Sequence, residues 1–317
     1  SPYPQKTYPT LPGQLEYSYA IDTEKLKYVT LKLCIEAGVD LLLHTYFCNS
    51  IVENGAIKGI IVENKSGRQV LMGRVVVDAS GDGDVAARAG ALYWQVIRDE
   101  APRLNDALMY RTEYGPTRPE HLHACDFGTN SVVWGPGVRP IDGANAEELS
   151  RAEVDARLRV YEDFAAKQAK EPGLATARVV ETPPLLGVRQ TRFIEGEYKL
   201  TAGDAISGRR FDDVIAISPC PIIHYYGYRR YLEHEGYDIP YRCLVPKGVD
   251  NLLVAGRCIS SEQQPYESHR AMVPMMAIGQ ASGAAAALCA QTGAAPRSLD
   301  IMLLQRTLIG QGAELRR

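Results

Sequence analysis

The run Arg74-Val-Val-Val-Asp-Ala-Ser-Gly-Asp-Gly-Asp84 constrains the fold of this chain more than any other. A short apolar segment of β-branched residues enters two glycines one residue apart, and Val85-Ala-Ala-Arg-Ala89 follows at once with Gly90 placed to close it. That order reads as a central strand, a tight turn and a helix, the building unit of an α/β protein. The Gly81-x-Gly83 turn brings free backbone N–H groups and a helix N-terminus to one point, where an anion can sit. It is not G-x-G-x-x-G, and tight strand-to-helix turns need glycine even without a ligand.

Upstream, the first twenty residues hold Pro2, Pro4, Pro9 and Pro12 and are expected to form no regular element. Asp22 is placed as an N-cap, Leu26, Val29, Leu33 and Ala37 recur at helical spacing, and Gly38 sits where the helix should end. The apolar run 39–43 is then expected to be a short buried strand of the parallel-sheet kind. From Phe47 to Val77 the period becomes that of strands, broken at Asn54-Gly55 and Lys65-Ser-Gly67, which predicts a three-stranded meander.

Residues 98–145 are rich in Pro, Gly and polar residues, after which 146–170 predicts a helix with Val154, Leu158, Tyr161 and Ala165 on its apolar face, stopped by Pro172-Gly173. Between 174 and 245 six tyrosines crowd around His224, His234, Arg229 and Arg230, a composition that suits either a pocket lining or a cap held by tyrosine packing. Asp250 to Gly256 predicts a second buried strand, and Pro274 is a plausible first residue of a helix reaching Ala290. The Gly279-x-x-x-Gly283 spacing in that helix would let another backbone or a flat ring approach closely. Its length approaches a membrane span, but its Gln280, Ser282 and many small residues favour a core helix.

Composition narrows the partners. With 35 Lys plus Arg against 38 Asp plus Glu, the net charge is −3, so nothing is available to neutralise a phosphate backbone and no nucleic-acid partner is expected. The 7 cysteines are odd in number and free of C-x-x-C pairs, which fits a reducing, cytoplasmic compartment, and no leader or membrane anchor is expected. His121-x-His123-x-Cys125 and Cys220-x-x-x-His224 lack a second half with metal-site spacing, so no metal is expected. Ser268 beside His269 is no triad, because adjacent residues on an extended chain point apart.

Four motifs in order carry a resemblance: Val76 to Asp84 with Ala86-Ala-Arg-Ala-Gly90; Gly187-Val-Arg-Gln-Thr-Arg192 with Gly196 to Thr201; Ile239 to Pro246; and Asn251 to Ser260 running through Gly279-Gln-Ala-Ser-Gly283. From about residue 20 to the C-terminus the chain resembles the FAD-dependent oxidoreductases of the glutathione-reductase-type fold. The resemblance implies a partial FAD-binding domain, parallel sheet plus meander, with an inserted α+β substrate domain. Its parts would be residues 1–98, the second half of the FAD domain; 99–245, the substrate or cap domain; and 246–317, the return to the FAD domain.

The same resemblance implies that Ala79, Ser80, Gly81, Asp82 and Gly83 lie beside the FAD diphosphate and ribose, and that Gly256 and Arg257 reach the ribityl chain. Pro274, Met275, Met276 and Ala277 would then aim a helix N-terminus at the flavin pyrimidine carbonyl. A helix N-terminus there would stabilise negative charge on the reduced ring. Many relatives carry an acid where this chain has Arg257, and the opening G-x-G-x-x-G unit that binds the ADP half occurs nowhere in these 317 residues. The chain is therefore expected to be truncated relative to the family, or one half of a split flavoenzyme.

The expected reaction is a dehydrogenase-type hydride transfer between a small organic substrate and flavin N5. Arg189, Arg192 and Tyr226 would hold the substrate, and His224 and Arg270 would act in catalysis, His224 by moving the accompanying proton and Arg270 by holding a carboxylate or polar oxygen. Expected partners are the small-molecule substrate and either a second copy of the chain or an N-terminal partner segment, with no membrane. The competing reading is a non-catalytic binding or assembly subunit that keeps a remnant flavoprotein fold.

Overall fold

The computed structural model describes residues 4–6, 17–19, 22–95, 106–114, 125–127, 130–133, 135–223 and 229–315. In chain order its main elements begin with helix α1 (Thr23–Glu36), strands β1 (Tyr46–Glu53), β2 (Ala56–Asn64), β3 (Gly67–Met72) and β4 (Val76–Asp78), and helix α2 (Asp84–Arg88). Strands β5 (Tyr93–Gln95) and β6 (Tyr110–Glu113), helix α3 (Ala146–Lys170), strands β7 (Arg178–Glu181) and β8 (Arg192–Ile194) and helix α4 (Ala202–Ser207) follow. Strands β9 (Val214–Ser218), β10 (Tyr237–Pro240) and β11 (Leu252–Val254) and helices α5 (Gln263–His269), α6 (Met272–Thr292) and α7 (Ile301–Gly310) complete the α/β chain. Two compact units result, one of residues 1–43 and 104–189, the other of 44–103 and 190–317.

The first unit is built on a four-stranded antiparallel sheet in the order Cys125–Phe127, Asn130–Val133, β6, β7. Helix α3 starts on Asn145, whose side chain accepts from the Glu147 and Glu148 N–H groups. The face it buries is not the expected one. Ala152, Ala156, Val160 and Phe164 are packed, whereas Val154, Leu158 and Tyr161 are exposed. The small residues at i, i+4 let the helix approach its neighbours closely, and Phe164 meets Tyr110 edge to face at 6.1 Å. Volume matching across the interface outweighed the larger apolar stripe.

Two further expectations in this unit change. Pro4–Lys6 pairs antiparallel with Tyr17–Tyr19, so the proline-rich opening does hold a short strand, with Pro4 as its first residue, a position where a missing N–H is tolerated. Asp22 caps α1 as expected, its carboxylate accepting from the Lys25 N–H at 3.0 Å. Residues 39–43, however, form no strand: among the described residues none pairs with them, and Val39, Leu41, Leu42 and Leu43 are exposed. A strand needs neighbours for its N–H and C=O groups, and apolar sequence alone does not supply them.

In the second unit β1, β2 and β3 form the expected meander, with Asn54 and Gly55 at φ 51° and 76° in the first turn. Strands β4 and β11 pair in parallel, Leu252 beside Val76 and Val254 beside Asp78. β9 pairs with β10 and β5 with β8, both antiparallel. The described residues between 190 and 245 share one apolar core with the meander, β11, α6 and α7.

Helix α6 lies across this core through Ile278, Ala281, Ala285 and Cys289. It is the one helix among the described residues long and apolar enough to cross a membrane, and here it packs on β9, β4 and β11. Gly279 and Gly283 face outward, and a Cβ at either would meet nothing within 4 Å. Pro274 is the third residue of α6 rather than the first, where its missing N–H is still without cost because the first turn has no intrahelical acceptors.

Candidate functional site

The parallel pairing of β4 with β11 brings two strand ends together. The Ala255 N–H donates to the Asp78 carbonyl at 2.9 Å, so both chains leave the pair side by side, one into 79–83 and the other into the 3-10 turn Gly256–Cys258. The buried Asp78 carboxylate organises the first turn. It accepts from the Ser80 N–H at 3.0 Å, the Ser80 hydroxyl at 2.6 Å and the Ala86 N–H at 2.8 Å. Ser80 Oγ in turn accepts from the Asp82 and Asp84 N–H groups at 3.3 and 3.2 Å.

Between the two turns lies a notch flanked by two glycines and crossed by one side chain. Gly81 and Gly256 have φ of 77° and 88°, and an added Cβ on Gly256 would stand 3.8 Å from the Gly81 Cα. A Cβ on Gly81 would stand 3.1 Å from the Arg257 guanidinium, which crosses the notch to donate to Asp82 Oδ1 at 2.9 Å. The Thr191 hydroxyl donates to the same oxygen at 2.8 Å. Arg192, almost enclosed, donates to the Asp82 carbonyl at 3.1 Å and to Asp84 at 2.7 Å. These bonds fix the turn from both sides before any ligand binds, which is the preorganisation a phosphate or sugar site requires.

Helix α6 packs on the Gly256–Cys258 turn. Its N-cap is Ala271, which offers no side-chain acceptor, so the first N–H groups of the helix have no cap. Pro274 is buried there, while Met272, Val273 and Met276 are exposed.

Between the Gly256–Cys258 turn and α6 the chain forms α5. Its residues Gln263 and Glu267 form a buried polar chain with Gln190 and Arg270. Gln190 and Gln263 exchange amide hydrogen bonds at 2.7 and 2.8 Å, Gln263 donates to Glu267 at 2.7 Å, and Arg270 Nε donates to Glu267 at 3.1 Å. His269 is wholly buried, with Nε2 3.1 Å from Ser261 Oγ and Nδ1 without a partner. Burial, reinforced by the neighbouring Arg270 charge, pushes its pKa down to about 3, so the ring is neutral at ordinary pH.

Of the residues expected at a site, Ala79, Ser80, Gly81, Asp82 and Gly83 lie in the first turn and Gly256 and Arg257 in the second, and Arg192 buttresses the first. Pro274, Met275, Met276 and Ala277 stand in the first two turns of α6. Arg270 is turned onto Glu267. Arg189 belongs to the other unit, where its N–H donates to Asp106 at 2.7 Å. His224 and Tyr226 lie outside the described residues.

Asp78, Thr191 and Glu267 were given no role in the sequence, and His269 entered only as the neighbour of Ser268. Only Asp78 left a local signal, an acid two residues before Ser80 at a strand end. Among the described residues no group of three or more His, Cys, Asp or Glu is placed to hold a metal ion.

The family model described as FAD dependent oxidoreductase matches residues 4–113 and 98–308. No curated protein matches the chain. Among solved structures, a geranylgeranyl bacteriochlorophyll reductase-like protein from Thermoplasma acidophilum is 14% identical, with a TM-score of 0.46 over 95% of this chain and 62% of its own. The flavin-dependent brominase Bmp2, as a triple mutant, is 10% identical with a TM-score of 0.43, over 92% of this chain and 61% of its own. The myxobacterial chondrochloren halogenase CndH, an FAD-dependent halogenase variant, is 13% identical with a TM-score of 0.45, over 92% and 56%. The chain thus spans less than two thirds of the length of each of these structures. The family match runs through both strand-end turns and the start of α6, and it places this chain in the FAD-dependent oxidoreductase family, with FAD as its cofactor.

Proposed function

We propose that the chain is the substrate-handling and flavin-side part of a dehydrogenase that moves hydride between an organic substrate and flavin N5. In this reading the fold is a partial glutathione-reductase-type FAD-binding domain with an inserted substrate domain. The observation that carries it is the close approach of the Gly81 and Gly256 backbones at the ends of β4 and β11, with α6, whose first turn has no side-chain cap, packed on the second of these turns. The notch admits close backbone approach to a diphosphate and ribityl chain, and the helix end favours negative charge.

Bound FAD would supply a two-electron acceptor. The chain's own residues do the rest: Ser80 to Gly83 and Gly256 hold the cofactor's polar linker, and Arg257 and Arg192 keep the turn in shape. Arg270 spends only Nε on Glu267 and keeps both terminal nitrogens for a carboxylate or carbonyl oxygen of the substrate. His224, in the tyrosine-rich segment, takes the proton that accompanies hydride. His269 is unsuited to that task, because its ring stays neutral down to about pH 3. These 317 residues carry no G-x-G-x-x-G unit for the ADP half, so FAD would be held weakly by them alone.

Val273→Glu tests the assignment. Val273 is exposed in the first turn of α6, where an acid favours the helix but would repel the electron-rich pyrimidine carbonyl of the flavin. FAD titration followed by flavin fluorescence should show weak saturable binding, reduced about tenfold in the variant, with unfolding midpoints unchanged or higher. Equal affinity in both proteins would overturn the reading.

A further inference from the structure

We infer a second ligand site in the same unit, one that takes a small organic anion with a flat apolar body. A cavity of about 510 Å³ opens between the segment 209–213, the 3-10 turn Tyr241–Leu244 and the start of α7. Its apolar wall is Phe211, Tyr241, Val245, Leu299 and Ile301. Four arginines and three acids line it, Arg209, Arg210, Arg242 and Arg297 against Glu197, Asp212 and Asp213, a surplus of one positive charge.

The bonding divides these arginines into two kinds. Arg242 is spent on Asp213 through Nε and Nη2, and Arg297 is spent on Glu197, Asp250 and the Pro246 carbonyl. Arg209 and Arg210 are anchored differently. Each uses only Nη1, Arg209 on Asp204 at 3.0 Å and on the Tyr198 hydroxyl at 3.2 Å, Arg210 on Asp238 at 2.9 Å. Asp204 and Asp238 are buried and do not line the cavity, so they grip the guanidinium groups from behind its wall. The Nε and Nη2 donors of both arginines are left for a cavity ligand, the fork geometry that binds carboxylate or phosphate oxygens in pairs. Arg209 also lies over the Phe211 ring at 4.8 Å, which holds that fork at the edge of the apolar wall.

The site is separate from the strand-end notch. Arg297 reaches Asp250, which precedes β11, whereas Gly256 follows it. The two sites thus lie at opposite ends of one strand. The inference is therefore independent of the flavin assignment.

Calorimetric titration of the whole chain with benzoate and phenyl phosphate, inorganic phosphate serving as the headgroup-only probe, tests it. Saturable one-to-one binding of one or both aromatic anions, tighter than that of inorganic phosphate, is expected. The preference between the two aromatic probes tells a carboxylate site from a phosphate site. Arg210→Lys keeps a cation on Asp238 but loses the fork, and should weaken binding about tenfold while remaining folded. Arg257→Gln, at the notch, should leave it unchanged. No saturation by either aromatic anion at about 10 mM, inorganic phosphate binding as tightly as both, binding indifferent to Arg210→Lys, or binding lost in Arg257→Gln would each overturn the inference.

Discussion

Gly83→Ala tests how the glycine turn is held against the rest of its unit. Gly83 is the N-cap of α2 at φ 67°, and an added Cβ would lie 2.7 Å from Ile194 Cδ1, 3.1 Å from Ile194 Cγ1 and 3.5 Å from the Cys258 Cβ. The backbone term is about 1 kcal/mol, the cost of an L side chain in the left-handed region. The steric term is larger. Ile194 is fully buried in β8 and cannot swing away, so relief requires an off-rotamer side chain or a backbone shift, about 1–3 kcal/mol. The sum, about 2–4 kcal/mol, is a large share of the stability of an ordinary domain.

The two terms can be separated by a second change. Ile194→Val deletes the closest atom, Cδ1, and alone should cost about 1 kcal/mol. In the double variant the clash is relieved but the backbone strain remains, so the combined loss should fall short of the sum of the singles by about 1–2 kcal/mol. Urea unfolding followed by Trp94 fluorescence, in a Trp134→Phe background that leaves Trp94 as the one tryptophan, reads this locally. Trp94 stacks on Phe193, the neighbour of Ile194, at 4.2 Å. Additive losses, or a Gly83→Ala variant as stable as the parent, would refute the packing argument.

Asp78→Ala leaves the buried Ala86 N–H without its acceptor and should cost about 1–3 kcal/mol, with the Ala86 amide losing its protection from hydrogen exchange first. His269 has its folded pKa depressed from 6.5 to about 3, so the stability tied to its neutral ring is complete above pH 6.5 and is lost as pH falls toward 3. Unfolding free energy should drop by up to about 1.4 kcal/mol per pH unit in that window, and His269→Leu should remove that slope; an unchanged slope would show that another group titrates.

What the sequence made legible was local. The meander with its Asn54-Gly55 turn, the Asp22 cap and the strand, turn and helix around Gly81 are each written in fewer than about thirty consecutive residues, because turn chemistry and side-chain period act at short range. The faces were harder. Helix α3 carries two apolar stripes, and the larger one, Val154 with Leu158 and Tyr161, lost to Ala152, Ala156, Val160 and Phe164, since only the partner surface decides which stripe fits. Polar networks were not legible at all. Thr191 meets Asp82 and Gln190 meets Gln263 across 109 and 73 residues, and no spacing rule connects such pairs. Helix α5 was hidden for another reason: its N-cap position, Glu262, makes no side-chain cap, and all of Pro265 to His269 is buried, so it shows neither a start signal nor a polar face.

The disagreement between pattern and environment at α1 leads to the last prediction. Tyr28, Leu31 and Ile35 share one side of this helix and Val29 and Leu33 another, and all five are exposed, as are Val39, Leu41, Leu42 and Leu43 just beyond it. A helix apolar on more than one side is patterned for burial, and contiguous exposed apolar surface of this kind marks an interface or an aggregation liability. The segment 39–43 adds four more exposed apolar side chains to that surface. At micromolar concentration the chain is therefore expected to self-associate through α1 and 39–43, and sedimentation velocity should show a concentration-dependent shift to larger species. Leu31→Lys with Ile35→Lys should abolish that shift with little loss of stability, since neither residue is buried in the fold. A monomer at every concentration, or association unchanged by the double substitution, would show that these apolar residues are not the surface through which copies meet.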